Sequence, residues 1–146
     1  MERMPFETGA YDLAVLNNSL CYVVEPESRA RSLGEVRRVL RPGGRMIVRN
    51  PNRWSMRDQF TGLPVVHMLP ARFASRIAAA LGTPRSTVRL VSPLEAVEEL
   101  RAAGFVDISH HGFPGSRRPE GLKFVARYQH LTARRAADEV AAHGGR

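Results

Sequence analysis

Two polar clusters in this sequence stand directly after short apolar runs, where side chains can meet a ligand. Asn17-Asn18-Ser19 follows Leu13-Ala14-Val15-Leu16, and Asn50-Pro51-Asn52 follows Met46-Ile47-Val48. Side-chain amides and a hydroxyl there can bond a carboxylate, an amino group or the hydroxyl of a small molecule. The same residue types also end strands and cap helices, and for Asn17, Asn18 and Ser19 both readings stay open. Further on, Trp54, Phe60, His67 and Met68 are candidates to line a pocket, or else to pack an irregular cover. His67 is the candidate general base, since an imidazole titrates near neutrality. Cys21 reads as a small core residue rather than a nucleophile. His110 and His111 are neighbours on an expected strand, so they take opposite faces and do not share a metal; no metal-ligand spacing occurs elsewhere.

The elements that must position these residues begin with a strand, helix, strand unit from Tyr11 to Asn52. Leu13 to Leu16 read as a buried parallel strand. A helix follows, entered through Glu25-Pro26, with Leu33, Val36 and Leu40 on one stripe and Pro42-Gly43-Gly44 as its stop. Met46 to Val48 make the second strand. A crossover of this length joins parallel strands, so both polar clusters fall on one carboxyl edge, where open α/β sheets bind ligands.

Beyond Asn52 the chain is irregular to about Leu69, with at most a short helix around Trp54 to Phe60. Ala74, Ile77, Ala78 and Leu81 then mark a helix over 70–81, closed by Gly82 and Pro84. The best-marked helix has Ser92 as N-cap, Pro93 first, Glu95 as capping-box partner and Gly104 as its end, with Leu94, Val97 and Leu100 facing inward. Phe105, Val106 and Ile108 form a strand and Leu122 to Tyr128 another. The connection between them is too short for a crossover helix, so these two are antiparallel. The residues from Leu131 to Arg146 read as an Ala/Arg-rich tail, helical on the surface or loose.

Length and composition bound the class. The chain has 146 residues, 43% of them hydrophobic, enough for one domain with a real core. The formal charge of +8 invites a nucleic-acid reading. Lys123 is the only lysine, however, and the arginines are scattered, a bias more like base composition than a phosphate-binding surface. A single cysteine allows no internal disulfide and points to a reducing, cytoplasmic setting; no apolar run reaches transmembrane length.

The residues carry a family resemblance. Met4-Pro5-Phe6 with Gly9-Ala10-Tyr11-Asp12-Leu13, then Leu40-Arg41-Pro42-Gly43-Gly44-Arg45 before a strand, and Ala103-Gly104-Phe105 before another, together resemble the C-terminal half of a class I S-adenosylmethionine-dependent methyltransferase of the type 11 kind. The resemblance implies an α/β, partial Rossmann-like fold over residues 1–130: two parallel strands plus an antiparallel C-terminal pair. It also implies a helical lid or insertion over 51–91 and a tail over 131–146. Methyl transfer to a small-molecule acceptor follows, with Asn17, Asn18 and Ser19 bordering S-adenosylmethionine. Asn50, Asn52, Trp54 and Phe60 would border the acceptor, and no N-P-P-Y type motif of base or amide methylation is present.

In that family the glycine-rich cofactor loop and two acidic residues precede the segment matched by Met4-Pro5-Phe6. The resemblance therefore implies a cofactor site that is complete only when an N-terminal half is supplied. A shortened gene product, one chain of a split enzyme, and a non-catalytic half-domain acting as a protein-interaction partner are the three readings. The apolar strand at Leu13 to Leu16, expected to lie inside a sheet, favours the first.

Overall fold

The computed structural model describes residues 3–55, 71–80, 82, 88–111 and 128–137. Its elements run β1 (Tyr11–Asn17), a single 3-10 turn (Leu20–Tyr22), α1 (Pro26–Val39), β2 (Leu40–Pro51), α2 (Ala71–Ala80), α3 (Pro93–Ala102), β3 (Phe105–His111) and β4 (Tyr128–Arg135). The architecture is α/β. Four strands form one sheet in the order β1-β2-β4-β3, with β1 parallel to β2 and β4 antiparallel to both of its neighbours.

Strand β4 is the last in sequence but sits inside the sheet, between β2 and β3. Its position corrects one expectation. Leu131 to Arg135, read as the start of a surface tail, belong to this strand, and of the strand expected over 122–128 only Tyr128 lies within the described residues. Burial alternates along β4, with Gln129, Leu131, Ala133 and Arg135 inward. Two of those four are polar, so the apolar count falls short of a strand signal. Each of the two finds carbonyl acceptors inside: Gln129 donates to Pro51 and Val91, and Arg135 to Arg37 and Leu40.

Helix α1 starts where Glu25-Pro26 predicts, but it ends at Val39, and Leu40 already opens β2 beside Tyr11. Leu33 and Val36 pack inward as expected. The Arg41-Pro42-Gly43-Gly44 segment is a kink within β2 rather than the helix stop, and the register jumps there from Tyr11↔Leu40 to Leu13↔Arg45. Gly43 has φ of 76°, which suits glycine, and a Cβ on Gly44 would come 2.8 Å from the Arg41 carbonyl oxygen.

Helix α3 begins with the expected capping box: the Ser92 hydroxyl accepts from the Glu95 N–H, and the Glu95 carboxylate accepts from the Ser92 N–H. Its buried face is Pro93, Ala96 and Leu100, so Leu94, expected inward, points out at 58% exposure. Helix α2 forms over Ala71–Ala80 within the span its spacing predicts, and Ile77 on it is exposed.

Leu16, Met46, Val48, Leu131, Ala133 and Phe105 make the inner face of the sheet, and α1 and α3 contribute Leu33, Val36, Ala96 and Leu100 to the same core. The opposite face carries Leu13, Val15, Arg45, Ile47 and Val106. Leu13 is 50% and Val15 63% exposed, and β1 is an edge strand among the described residues. Among the described residues, no helix is long and apolar enough to cross a membrane.

Candidate functional site

The carboxyl ends of β1 and β2 lie side by side, with Asn17 in register with Arg49. The Asn18 N–H continues the ladder by donating to the Arg49 carbonyl at 2.7 Å. Asn18 takes the left-handed conformation, φ 52°, which asparagine tolerates and which turns the chain out of the strand. Because β4 runs the other way, its first residues, Tyr128 to His130, meet the same edge, as does the end of β3.

The expected ligand residues separate into distinct environments. Asn17 turns to the open face, where its Oδ1 accepts from Arg49 Nη1 at 3.0 Å, and the Arg49 guanidinium stacks 3.7 Å from the centre of the Tyr128 ring. Ser19 occupies the N-cap of the 3-10 turn, yet its side chain makes no capping bond. Ser19 Oγ and Asn18 Oδ1 are both buried atoms without a hydrogen-bond partner. Asn50 faces inward, 3% exposed, and its Oδ1 is also unpartnered. Asn52 is buried in a different way: its Oδ1 accepts from the Trp54 N–H at 2.9 Å, an Asx turn that shapes the chain leaving β2. Phe60, His67 and Met68 lie outside the described residues.

The chain that leaves at Asn52 returns at Val91. These two residues form a parallel bridge, and the Arg53 N–H donates to the Val91 carbonyl at 3.2 Å. Arg89 donates its N–H to the Cys21 carbonyl at 2.8 Å, tying the returning stem to the turn after β1. Gln129, which the sequence reading missed, joins both stems from below through Nε2, to Pro51 O at 3.4 Å and Val91 O at 3.1 Å. It leaves little trace in the sequence, because burial alternates along 128–135 while polarity does not.

Beneath the edge, Arg29 is buried and donates to the Leu20 carbonyl, to the Val23 carbonyl at 3.4 Å, and through two nitrogens to Glu99. The segment after Ser19 is thereby held to α3. Cys21 donates its thiol proton to the Asn18 carbonyl, and burial pushes its pKa up, so at neutral pH it is a protonated core thiol rather than a nucleophile. His130 shares the open face with Arg49 and His111. Burial first, then the charge of Arg49 and the nearby His111 ring, pull its pKa down, which keeps it uncharged at neutral pH. Among the described residues no group of three or more His, Cys, Asp or Glu is placed to hold a metal ion.

Residues 1–48 match the family described as Methyltransferase domain. A structure of an S-adenosylmethionine-dependent methyltransferase from Mesorhizobium loti aligns over 92% of this chain with a TM-score of 0.59 at 20% identity. The chain shares the Rossmann-like α/β fold of that structure. The CurJ carbon methyltransferase shares it over 90% of the chain, with a TM-score of 0.56 at 17% identity. In sequence, the chain is 39% identical over 62 residues to an uncharacterized 37.1 kDa protein in transposon TN4556 of Streptomyces fradiae. The chain spans 17% of that relative's length, and 66% and 31% of the two solved chains. In open α/β sheets the carboxyl edge of the strands is where ligands bind. The unpartnered Asn18 Oδ1 can accept from a ligand donor, and the Ser19 hydroxyl can donate to a ligand acceptor.

Proposed function

We propose that this chain forms the acceptor side of an S-adenosylmethionine-dependent methyltransferase that acts on a small molecule. One observation carries the reading: Asn18 Oδ1, Ser19 Oγ and Asn50 Oδ1 are buried at adjoining strand ends and lack protein partners. Buried polar atoms are normally satisfied, so unsatisfied ones gathered on a ligand edge are groups kept for a ligand. S-adenosylmethionine supplies an electrophilic methyl group. The chain's own residues then have two tasks, to orient the acceptor in line with that group and to exclude water. Asn18 and Ser19 are the cofactor-side residues, with Asn17 directing Arg49 at their flank. Asn50 and Trp54 border the acceptor, Asn52 shapes the base of the insertion, and Phe60 and His67 belong to it. The insertion over 51–91 is a lid whose stems are pinned at Asn52 and Val91. The lone Cys21 suits a cytoplasmic setting.

The remaining strands of the cofactor site are to be supplied beside β1. The exposed apolar side chains of Leu13 and Val15, on a strand with no outer neighbour among the described residues, support this. That same edge favours a second reading, a non-catalytic half-domain that docks onto a partner chain. Isothermal titration with S-adenosylhomocysteine, of this chain alone and mixed with a chain that supplies the N-terminal strands, separates them. Micromolar binding in either, weakened about tenfold in Asn18→Ala by loss of one bond to a charged amino group, supports methyl transfer. Absence of binding in both overturns it.

A further inference from the structure

We propose that Asn50 and Gln129 form a buried two-acceptor subsite that reads a hydrogen-bond donor, a hydroxyl or an N–H, on the small molecule held at this edge. The inference rests on the acceptor-side reading above and adds the chemical class of the molecule.

Asn50 and Gln129 are register partners on β2 and β4, and both face inward. Side chains paired in this way are direct neighbours across the two strands. Asn50 is 3% exposed and Gln129 0%. The direction of the Gln129 amide is fixed by its partners. Both groups it meets, the Pro51 and Val91 carbonyls, are acceptors, so the nitrogen must face them and the oxygen must face away. Gln129 Oε1 is thereby left without a hydrogen-bond partner, and the Asn50 Oδ1 across from it is a second buried carbonyl oxygen without one.

Two neutral acceptors side by side select by polarity. A carboxylate or phosphate would bring more acceptors and is disfavoured, whereas an alcohol, phenol, amine or amide N–H answers them. Amide oxygens do not take up protons at neutral pH, so the pair orients the molecule and leaves deprotonation to another group. Gln129 also holds the two stems of the insertion, which makes the donor-reading oxygen part of the same side chain that fixes the base of the cover.

The test uses the full chain labelled with ¹⁵N and follows the side-chain amide resonances of Asn50 and Gln129. Phenol, anisole and benzoate serve as probes; anisole is phenol with its donor methylated, and benzoate is an anion of similar size. Phenol is expected to shift both amides with half-saturation about tenfold lower than anisole, as befits a site built to bond a donor. Asn50→Leu is expected to erase the preference while leaving anisole unchanged, and Asn50→Ala, which also lacks an acceptor, serves if the leucine variant does not fold. Equal binding of phenol and anisole, benzoate binding as tight as phenol, or an intact preference in the Asn50 variant would overturn the subsite. A phenol preference without S-adenosylhomocysteine binding would sink methyl transfer and leave the subsite standing; the reverse result would sink the subsite alone.

Discussion

Arg29 and Glu99, 70 residues apart in sequence, form a two-pronged ion pair beneath the ligand edge, Nε to Oε1 at 3.0 Å and Nη2 to Oε2 at 2.5 Å. The arginine is buried and the carboxylate partly exposed, so removing Glu99 strands a guanidinium away from water. Glu99→Ala is expected to cost about 3 kcal/mol in urea denaturation, while Glu98→Ala on the exposed side of α3 changes stability by less than about 0.5 kcal/mol. Equal effects would show that the pair does not hold the edge to α3.

Two glycines separate backbone cost from steric need. Gly34 lies within α1, exposed, with nothing within 4 Å of a built Cβ, so Gly34→Ala is expected to stabilise by about 0.5–1 kcal/mol. At Gly44 the same methyl meets the Arg41 carbonyl oxygen at 2.8 Å and the carbonyls of Tyr11 and Asp12 at 3.3 Å. Gly44→Ala therefore destabilises, by about 1–3 kcal/mol, because backbone has to move. Thermal melts of the two variants, shifted in opposite directions, check both.

Glu35 accepts from Arg38 Nε and from the Met4 N–H, and these bonds, Arg38's first, hold its carboxyl down to about 2 from an ordinary 4.5. A carboxyl depressed on folding contributes stability that is fully present above its unfolded value and is lost as pH falls through the folded one. The difference in stability between the wild type and Glu35→Gln is thus expected to be constant above pH 4.5 and to fade toward about 2. Acid titrations followed by circular dichroism measure it. A difference that persists unchanged at the lower end would refute this.

The exposed apolar Leu13 and Val15 on β1 are expected to make the isolated chain prone to associate. Val15→Lys places a charge on a residue already 63% exposed, so it should cut sedimentation-detected self-association without lowering the melting temperature. Unchanged association would locate the sticky surface elsewhere.

Much of this structure was legible because its signals are local. The capping box at Ser92 and Glu95 and the Pro26 helix start follow from residues a few positions apart and stand as read, as does the parallel pairing of β1 with β2, whereas the expected burial of Leu13 and Val15 and the helix stop at Pro42 do not. What escaped depends on contacts across the chain. Gln129 and Arg135 turn inward only because the Pro51, Val91, Arg37 and Leu40 carbonyls wait there, so β4 passed for a polar tail. Leu94 was assigned inward by helical spacing, but the stripe that meets the sheet is Pro93, Ala96 and Leu100. On the ligand edge the residue types were readable, whereas their division was not: Asn17 serves Arg49, Asn52 serves the Trp54 N–H, and Asn18, Ser19 and Asn50 keep buried atoms unbonded.

Placing β4 between β2 and β3 has a consequence for how the chain comes off the ribosome. Pro51 and Gln129, neighbours in the finished sheet, are 78 residues apart in synthesis. Until Tyr128 to Arg135 emerge, β1–β2 and β3 have no shared strand to join them, and the outer side of β2 stays open. Such long-range closure slows folding and prolongs the exposure of strand edges. A released chain ending before Tyr128 should accordingly be digested by protease as two separate parts, and one ending after Arg135 should resist as a single sheet.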